Sequence, residues 1–261
     1  MRLKGNTIFI TGGGSGIGRG FAEAFHKLGN QVIIAGRRRK RLDAVVAANP
    51  GMAALELDIG DPASIESVAR RLIREYPDVN VLINNAGIMQ VDRTAGRLDD
   101  ALLLETVNTN LIGSIRMTSA LIEHLKMKDG AVVAYTSSVL GFVPLALTAV
   151  YSATKAALHS YALSQRFMLR DSTVRVIEIV PPWVRTELMN SQEAEQAMPI
   201  NQFIGEAIRA LGTNADEIVI DAAKPLRGNV GPGEHAFVGT FNERWLANFS
   251  ESPVFDEASG G

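Results

Sequence analysis

Tyr151 stands four residues before Lys155 and thirteen after Ser138. A phenol beside an ammonium, with a hydroxyl in reach, can hand a proton to a carbonyl oxygen while a hydride reaches the carbonyl carbon. The chemistry that these residue types suit is the interconversion of a ketone and a secondary alcohol. On a helix, residues four apart share a face, which makes Tyr151 and Lys155 neighbours. A free phenol titrates near about 10 and is a poor proton shuttle at neutral pH. A fixed ammonium is expected to lower that value; a drop of about three units asks for about 4 kcal/mol and a desolvated site. Ser137 and Ser138 follow an apolar run over 131–136. They point to opposite faces if that strand persists, so either can supply the hydroxyl that stabilises a developing alkoxide. As a string the tyrosine–lysine pair is weak, and its position along the chain carries the weight.

The elements that would position these groups alternate along the chain. Val- and Ile-rich runs at 7–10, 31–35, 53–57, 79–83, 131–136, 174–180 and 217–220 read as strands covered on both faces. Helical patterns lie between them over 16–28, 38–48, 62–76, 98–126, 150–169 and 186–211. The third has a defined start, with Asp61 as N-cap and Pro62 in the first turn. Such alternation predicts an α/β doubly wound fold, a sheet of about seven parallel strands with helices on both faces. The sequence predicts one domain over 1–249 and a frayed polar tail over 250–261.

Between the first strand and the first helix runs Thr11-Gly-Gly-Gly-Ser-Gly-Ile-Gly18. Gly12, Gly16 and Gly18 meet three demands there: a tight turn, close approach of backbone to a pyrophosphate, and close helix–strand packing. With Gly14, Ser15 and Ile17 they form the expected dinucleotide-binding turn of a Rossmann-type fold. An acidic residue at the end of the second strand would hold the ribose hydroxyls of NAD(H), but Gly36 stands there, followed by Arg37, Arg38 and Arg39. Positive charge at a helix start opposes the macrodipole, and a 2′-phosphate gripped by Arg37 and Arg38 would offset it. NADP(H) is therefore expected over NAD(H), the bland reading being a solvated basic turn.

A net charge of −2 gives no push toward nucleic acid or an anionic membrane. The chain has no cysteine, and its four histidines show no ligand spacing, which disfavours a zinc-dependent dehydrogenase and predicts no metal. No run is long enough to span a bilayer, and a strand-like run begins almost at once, so the expectation is a cytoplasmic protein without a signal peptide.

Taken in order, Thr11-Gly-x-x-x-Gly-Ile-Gly18, Asp58, Asn84-Asn85-Ala86-Gly87, Asn110-Leu-x-Gly113, Ser138, Tyr151-x-x-x-Lys155 and Pro181 make the chain resemble the short-chain dehydrogenase/reductase family over about residues 5 to 220. The stretches from Glu178 to Leu188 and from Lys155 to Tyr161 resemble its DltE-like branch. The resemblance selects Ser138 over Ser137 and Asn110 over Asn108. It implies a catalytic set of Asn110, Ser138, Tyr151 and Lys155, with Asn110 positioning a water that links Lys155 to solvent. It also implies that Asp58, with Ile59, lies beside the adenine and that Asn85, Ala86 and Gly87 line the cofactor. Lys155 would hold ribose hydroxyls next to Tyr151; Pro181, Val184 and Thr186 would surround the nicotinamide. Read without the family, Asp58 is equally a turn or capping residue. Two departures stand out: Pro182 where the family has glycine, and an atypical segment over 228–242. The family forms dimers and tetramers, so a homo-oligomer is implied, its size left open by that segment.

Met89, Leu140, Phe142, Trp183, Leu188 and Met189 would make an apolar pocket beside Tyr151. Apolar residues in loops need a cover, here substrate, lid or neighbouring subunit. The segment 186–199 reads as that lid or as a surface helix. The expected substrate is a hydrophobic or aryl-alkyl ketone without a carboxylate handle, a reading that Arg185 would oppose if it faced the pocket. The alternative from another class is a dinucleotide-binding regulatory or structural protein.

Overall fold

Five residues of β1 (Thr7–Thr11), six each of β2 (Gln31–Gly36) and β4 (Val79–Asn84), and five each of β5 (Val132–Thr136) and β6 (Arg175–Ile179) are nearly all buried. That is what continuous Val/Ile runs produce when both faces of a sheet are covered. In the computed structural model, which describes residues 1–92 and 94–249, these strands join β3 (Ala53–Glu56) and β7 (Glu217–Ile218). All pair in parallel in the order β3-β2-β1-β4-β5-β6-β7. The order reverses between β1 and β4, and the carboxyl ends of those two strands open the crevice where such folds bind ligands. The protein has a Rossmann-type doubly wound α/β fold.

Helices cover both faces. On one, α1 (Gly16–Lys27) buries Gly18, Phe21, Ala22 and Phe25, a stripe at helical spacing. Phe21 meets Phe203 of α7 (Ile200–Leu211) edge-on at 6.1 Å, and α2 (Arg39–Ala48) adds Leu42 and Val45 to the same core. On the other face lie α3 (Pro62–Glu75), α5 (Gly113–Lys126) and α6 (Ala149–Met168). Asp61 caps α3, its carboxylate accepting from the N–H groups of Ala63 and Ser64 at 3.0 and 3.2 Å. In α6 the apolar stripe of Leu158 and Ala162 continues into Tyr151, Thr154 and Lys155, all buried. The polar pair is thus mounted on an extension of the core contact.

The structure differs from the sequence expectations in three places. The long helix expected over 98–126 is α4 (Asp100–Val107), a π turn (Asn108–Ile112) and α5 in succession. Such one-turn widenings occur frequently at functional sites. Only the second part of the pattern over 186–211 is an α-helix; the first part turns through Met189 and Asn190, both at positive φ (53° and 48°). Left-handed backbone at non-glycine residues ends a helix there despite its periodicity. Past β7 the atypical segment is helical, forming α8 (Lys224–Arg227) and α9 (Glu234–Phe249). The expected tail over 250–261 lies outside the described residues, among which no helix is long and apolar enough to cross a membrane.

Gly113 lets α5 approach the loop after β3: a Cβ there would stand 2.4 Å from the Ile59 carbonyl oxygen. Gly113→Ala is therefore expected to cost about 1–3 kcal/mol, lowering the melting temperature by roughly 3–10 °C in thermal denaturation. An unchanged melting temperature would show that this approach is not tight.

Candidate active site

At the β1–α1 turn, Gly12 has φ +70°, and a Cβ on it would lie 2.9 Å from Ala86 Cα. A Cβ on Gly18 would lie 2.4 Å from the Gly12 carbonyl oxygen. Thr11 Oγ1 accepts from the N–H groups of Asn85 and Ala86 at 3.0 and 3.1 Å, holding the loop after β4 against this turn. Ser15, the N-cap of α1, makes no side-chain cap bond, and the first turn has no acidic residue. The N-terminal amides of α1 and its positive dipole end are thereby left to an outside anion.

The cleft that begins here has a volume of about 820 Å³ and runs to Tyr151. Gly14, Ser15, Gly16, Ile17, Asn85, Ala86 and Gly87 line it, and Thr186 lies over Gly16, 3.6 Å from where a Cβ would be. Arg37, Arg38 and Arg41 rim its far end. They meet acids: Arg37 lies 3.3 Å from Glu105, Arg38 lies 3.8 Å from Glu187, and Arg41 pairs with Glu187. These pairs are half exposed and contribute little stability, so a stronger anion can displace them. Arg38 also donates to Ser15 Oγ at 3.0 Å, joining the basic rim to the glycine turn. The Asp58 carboxylate accepts from Gly60 N at 2.9 Å, closing a turn, while its neighbours Leu57 and Ile59 line the cleft. A cradle shaped by absent Cβ atoms, free helix amides and a basic rim fits a phosphorylated dinucleotide.

At the inner end, Ser138 Oγ accepts from Leu140 N at 3.1 Å, and Ser138 lines the cleft together with Tyr151. Ser137 turns the other way and donates to Glu178 Oε1 at 2.5 Å. Lys155 donates to the Thr136 carbonyl at 2.8 Å, its Nζ 5.4 Å from the centre of the Tyr151 ring. Asn110 sits fully buried in the π turn, accepting from Ile88 N and donating to Ile88 O, each at 2.8 Å. Its Nδ2 also donates to Thr154 Oγ1 at 3.2 Å, so it fastens the loop after β4 to α6.

Desolvation dominates the electrostatics. Burial pushes the Tyr151 phenol up to about 12, against a smaller lowering by the Ser138 hydrogen bond. Burial brings Lys155 down to about 8, against a smaller raising by the Glu178 charge. The expected lowering of the phenol by the ammonium is therefore reversed in this arrangement: at 7% and 3% exposure, burial shifts both groups toward their neutral forms, with Lys155 still charged at neutral pH. Tyr151 is held as a proton donor.

On the substrate side Met89, Leu140, Trp183, Leu188 and Met189 line the cleft. Phe142 does not; its ring packs on His159 at 4.7 Å and under the Arg227 guanidinium at 4.2 Å. Arg185 is committed to its own loop, donating to the carbonyls of Ala194, Glu195 and Ala197. Sequence reasoning missed the wall formed by α9, where Phe241 and Trp245 face the cleft and Trp245 packs on Trp183 at a tilt, ring centres 4.8 Å apart. Asn242 fixes that helix, donating to Pro144 O at 3.0 Å and accepting from Ala146 N at 2.6 Å. The only sequence signal was an aromatic pair four apart, far from the site along the chain. Arg41 was missed as well.

A parallel sheet with a glycine turn at its switch point, and a buried tyrosine–lysine–serine group at the carboxyl ends of β5 and α6's first turns, defines a dinucleotide-dependent oxidoreductase. The chain belongs to the short-chain dehydrogenase/reductase family: the profile described as short chain dehydrogenase matches residues 6–197. It is 37% identical over 233 residues to the uncharacterized oxidoreductase DltE of Bacillus subtilis (strain 168), spanning 87% of this chain and 92% of that protein. It lies in that DltE-like branch. To the NADP-dependent 3-hydroxy acid dehydrogenase of Schizosaccharomyces pombe it is 32% identical, over 90% of this chain and 98% of that one. A short chain dehydrogenase from Burkholderia cenocepacia J2315 in complex with NADP superposes with a TM-score of 0.80 at 26% identity, over 94% and 99% of the two chains. The protein is an oxidoreductase acting on alcohol or carbonyl groups with a nicotinamide cofactor.

Burying Lys155 has a stability consequence. Its proton affinity in the folded state lies below the usual 10.5, near 8, so holding it charged at neutral pH costs about 3 kcal/mol. Lys155→Met removes that cost but leaves the Thr136 carbonyl unpaired. A net gain of about 1–2 kcal/mol and roughly 3–6 °C in melting temperature is expected, with activity lost. Because the folded state binds fewer protons between about 8 and 10.5, the gain should be full below 8 and vanish as pH rises to 10.5. A destabilised, inactive variant at pH 7 would contradict this.

Proposed function

We propose that this oxidoreductase reduces a hydrophobic, aryl-alkyl type of ketone to a secondary alcohol with NADPH, reversibly. The observation that carries the reading is one continuous cleft that joins the glycine turn and the arginines to Tyr151, Lys155 and an aromatic wall. When bound, the nicotinamide supplies a hydride to the carbonyl carbon. Gly12, Gly16 and the amides at the start of α1 hold the diphosphate, and Arg37 and Arg38 exchange their exposed acidic partners for the 2′-phosphate. Asn85, Ala86, Gly87, Pro181, Val184 and Thr186 shape the walls along the cofactor's length. Tyr151, kept protonated by burial, donates its proton to the carbonyl oxygen as general acid. Ser138, which lines the cleft beside that phenol, donates to the same oxygen and stabilises the developing alkoxide. Lys155 holds ribose hydroxyls and lends positive charge to the phenolate left behind. Asn110, pinned in the π turn, positions a water through which Lys155 exchanges protons with solvent. Trp183, Trp245 and Phe241 hold the apolar end of the substrate.

The NADP-bound neighbour and the NADP-dependent relative support the cofactor assignment, as does the missing acid after β2. Purified protein with NADPH and a panel of aryl-alkyl ketones, followed by absorbance of the reduced nicotinamide, tests the reading. Tyr151→Phe is expected to lower kcat by about 10²–10⁴-fold. Tight NADPH binding with no turnover on any ketone would instead make the protein a dinucleotide-binding regulatory or structural protein. Arg37→Ala is expected to raise the KM for NADPH about tenfold and leave that for NADH nearly unchanged; equal effects on both would overturn the 2′-phosphate assignment. Reduction should also decline as pH rises through about 8, where Lys155 loses its charge.

A further inference from the structure

Behind the serines lies a buried acid that the proton transfer described above does not use. Glu178 of β6 is 1% exposed, and both its oxygens are engaged. Ser137 donates to Oε1 at 2.5 Å, and His159 Nδ1 lies 2.6 Å from Oε2, which makes Nδ1 the protonated ring nitrogen. Glu178 therefore ties together three elements. β5 leads through Ser137 directly to Ser138, α6 carries His159 one turn beyond Lys155 and two beyond Tyr151, and β6 runs on into Pro181. Tyr151, Lys155 and His159 follow at helical spacing on one face, so the clamp grips the same face that bears the reacting groups.

The groups that face Glu178 come from every element packed against it. Ser137 faces it from β5, Lys155 and His159 from α6, and Glu217 from β7, with Arg227 of α8 paired to Glu217 on the far side. His159, Glu178 and Glu217 place donor atoms within 4.8 Å of one another, a spacing that would suit a cation. Arg227 occupies both Glu217 oxygens, however, while Ser137 and His159 occupy those of Glu178. The donor set is closed by the chain's own groups. The carboxylate sits on Ser137, the residue next to the Thr136 carbonyl that holds Lys155 Nζ at 2.8 Å, and it raises the proton affinity of Lys155 against the larger lowering by burial.

We propose that Glu178 is a positioning residue: clamped by Ser137 and His159, it fixes Ser138 relative to α6 and serves as the counter-charge to the Lys155 ammonium, which is held on the carbonyl of Thr136, the residue before Ser137. This rests on the reductase reading only for its catalytic consequence. The electrostatic part is testable without a substrate.

The test is NMR of protein isotope-labelled at the lysine ε-carbons, with Lys155 assigned as the resonance missing from Lys155→Met. In Glu178→Gln, which keeps the shape and removes the charge, Lys155 should bind its proton about tenfold more weakly than in the wild type. A Lys155 titration that coincides with the wild type overturns the proposal. If Glu178→Gln does not fold, Glu178→Asp decides: with the charge retained, Lys155 should titrate within about threefold of wild type, and a tenfold loss there would overturn the proposal. In the ketone assay, the alkaline limb of the kcat profile for Glu178→Gln should move to lower pH. A uniform fall in kcat at every pH would mark Glu178 as structural only and overturn its electrostatic role. Wild-type protein inert toward every ketone would sink the reductase reading and leave the lysine titration to stand or fall alone.

Discussion

Removing water from around Tyr151 and Lys155 is the constraint on which the rest of this structure turns. In water the two groups would titrate close together and neither would be tuned for proton transfer at neutral pH. Burial drives them in opposite directions, the phenol toward about 12 and the ammonium toward about 8. A phenol that does not ionise by itself is a reserve of one proton, given up when a stronger base, such as a nascent alkoxide, appears beside it. The cost of that arrangement falls on folding, because a buried lysine with one carbonyl partner is a destabilising feature. The surrounding elements must therefore be rigid enough to hold it.

They are rigid for identifiable reasons. Tyr151 and Lys155 extend the apolar stripe by which α6 packs on the sheet, so the reacting groups inherit the precision of the core. Asn110 closes the gap between the loop after β4 and α6, using three hydrogen bonds from one amide. Ser137 and Glu178 fasten the end of β5 to β6 beneath Ser138. On the open side, Asn242 ties α9 to 144–146, Trp245 packs on Trp183, and the helix brings two aromatic rings over the cleft. The tyrosine–lysine pair is thus held by the core, and the aromatic wall stands at the periphery.

The strand–helix alternation, the glycine turn and the tyrosine–lysine spacing were all legible in the sequence, because each follows from local patterns of period two, period 3.6 or fixed backbone demand. The π turn was not legible: its residues have helical periodicity, and it coincides with side-chain bonds of Asn110 to Ile88 and Thr154, which are remote in sequence. Met189 and Asn190 likewise sit in left-handed backbone that nothing in their types requires. Phe142 looked like a pocket residue because it neighbours Ser138, yet a cation and an imidazole on its two sides claim it. The aromatic wall of α9 depends on a contact between Trp183 and Trp245 across sixty residues, beyond the reach of any local pattern. The direction of the tyrosine's shift was misjudged for a related reason, since a sequence shows which charge is near but not how little water remains.

The central claim, that the buried Tyr151 delivers a proton as a hydride arrives from NADPH, is tested most directly by isotope transfer. NADPH deuterated at its transferable position would be incubated with an aryl-alkyl ketone and the alcohol analysed by mass spectrometry. The account predicts one deuterium on the carbinol carbon with the wild-type protein and no labelled alcohol above background with Tyr151→Phe. Unlabelled alcohol, or equal labelling by the variant, would contradict it.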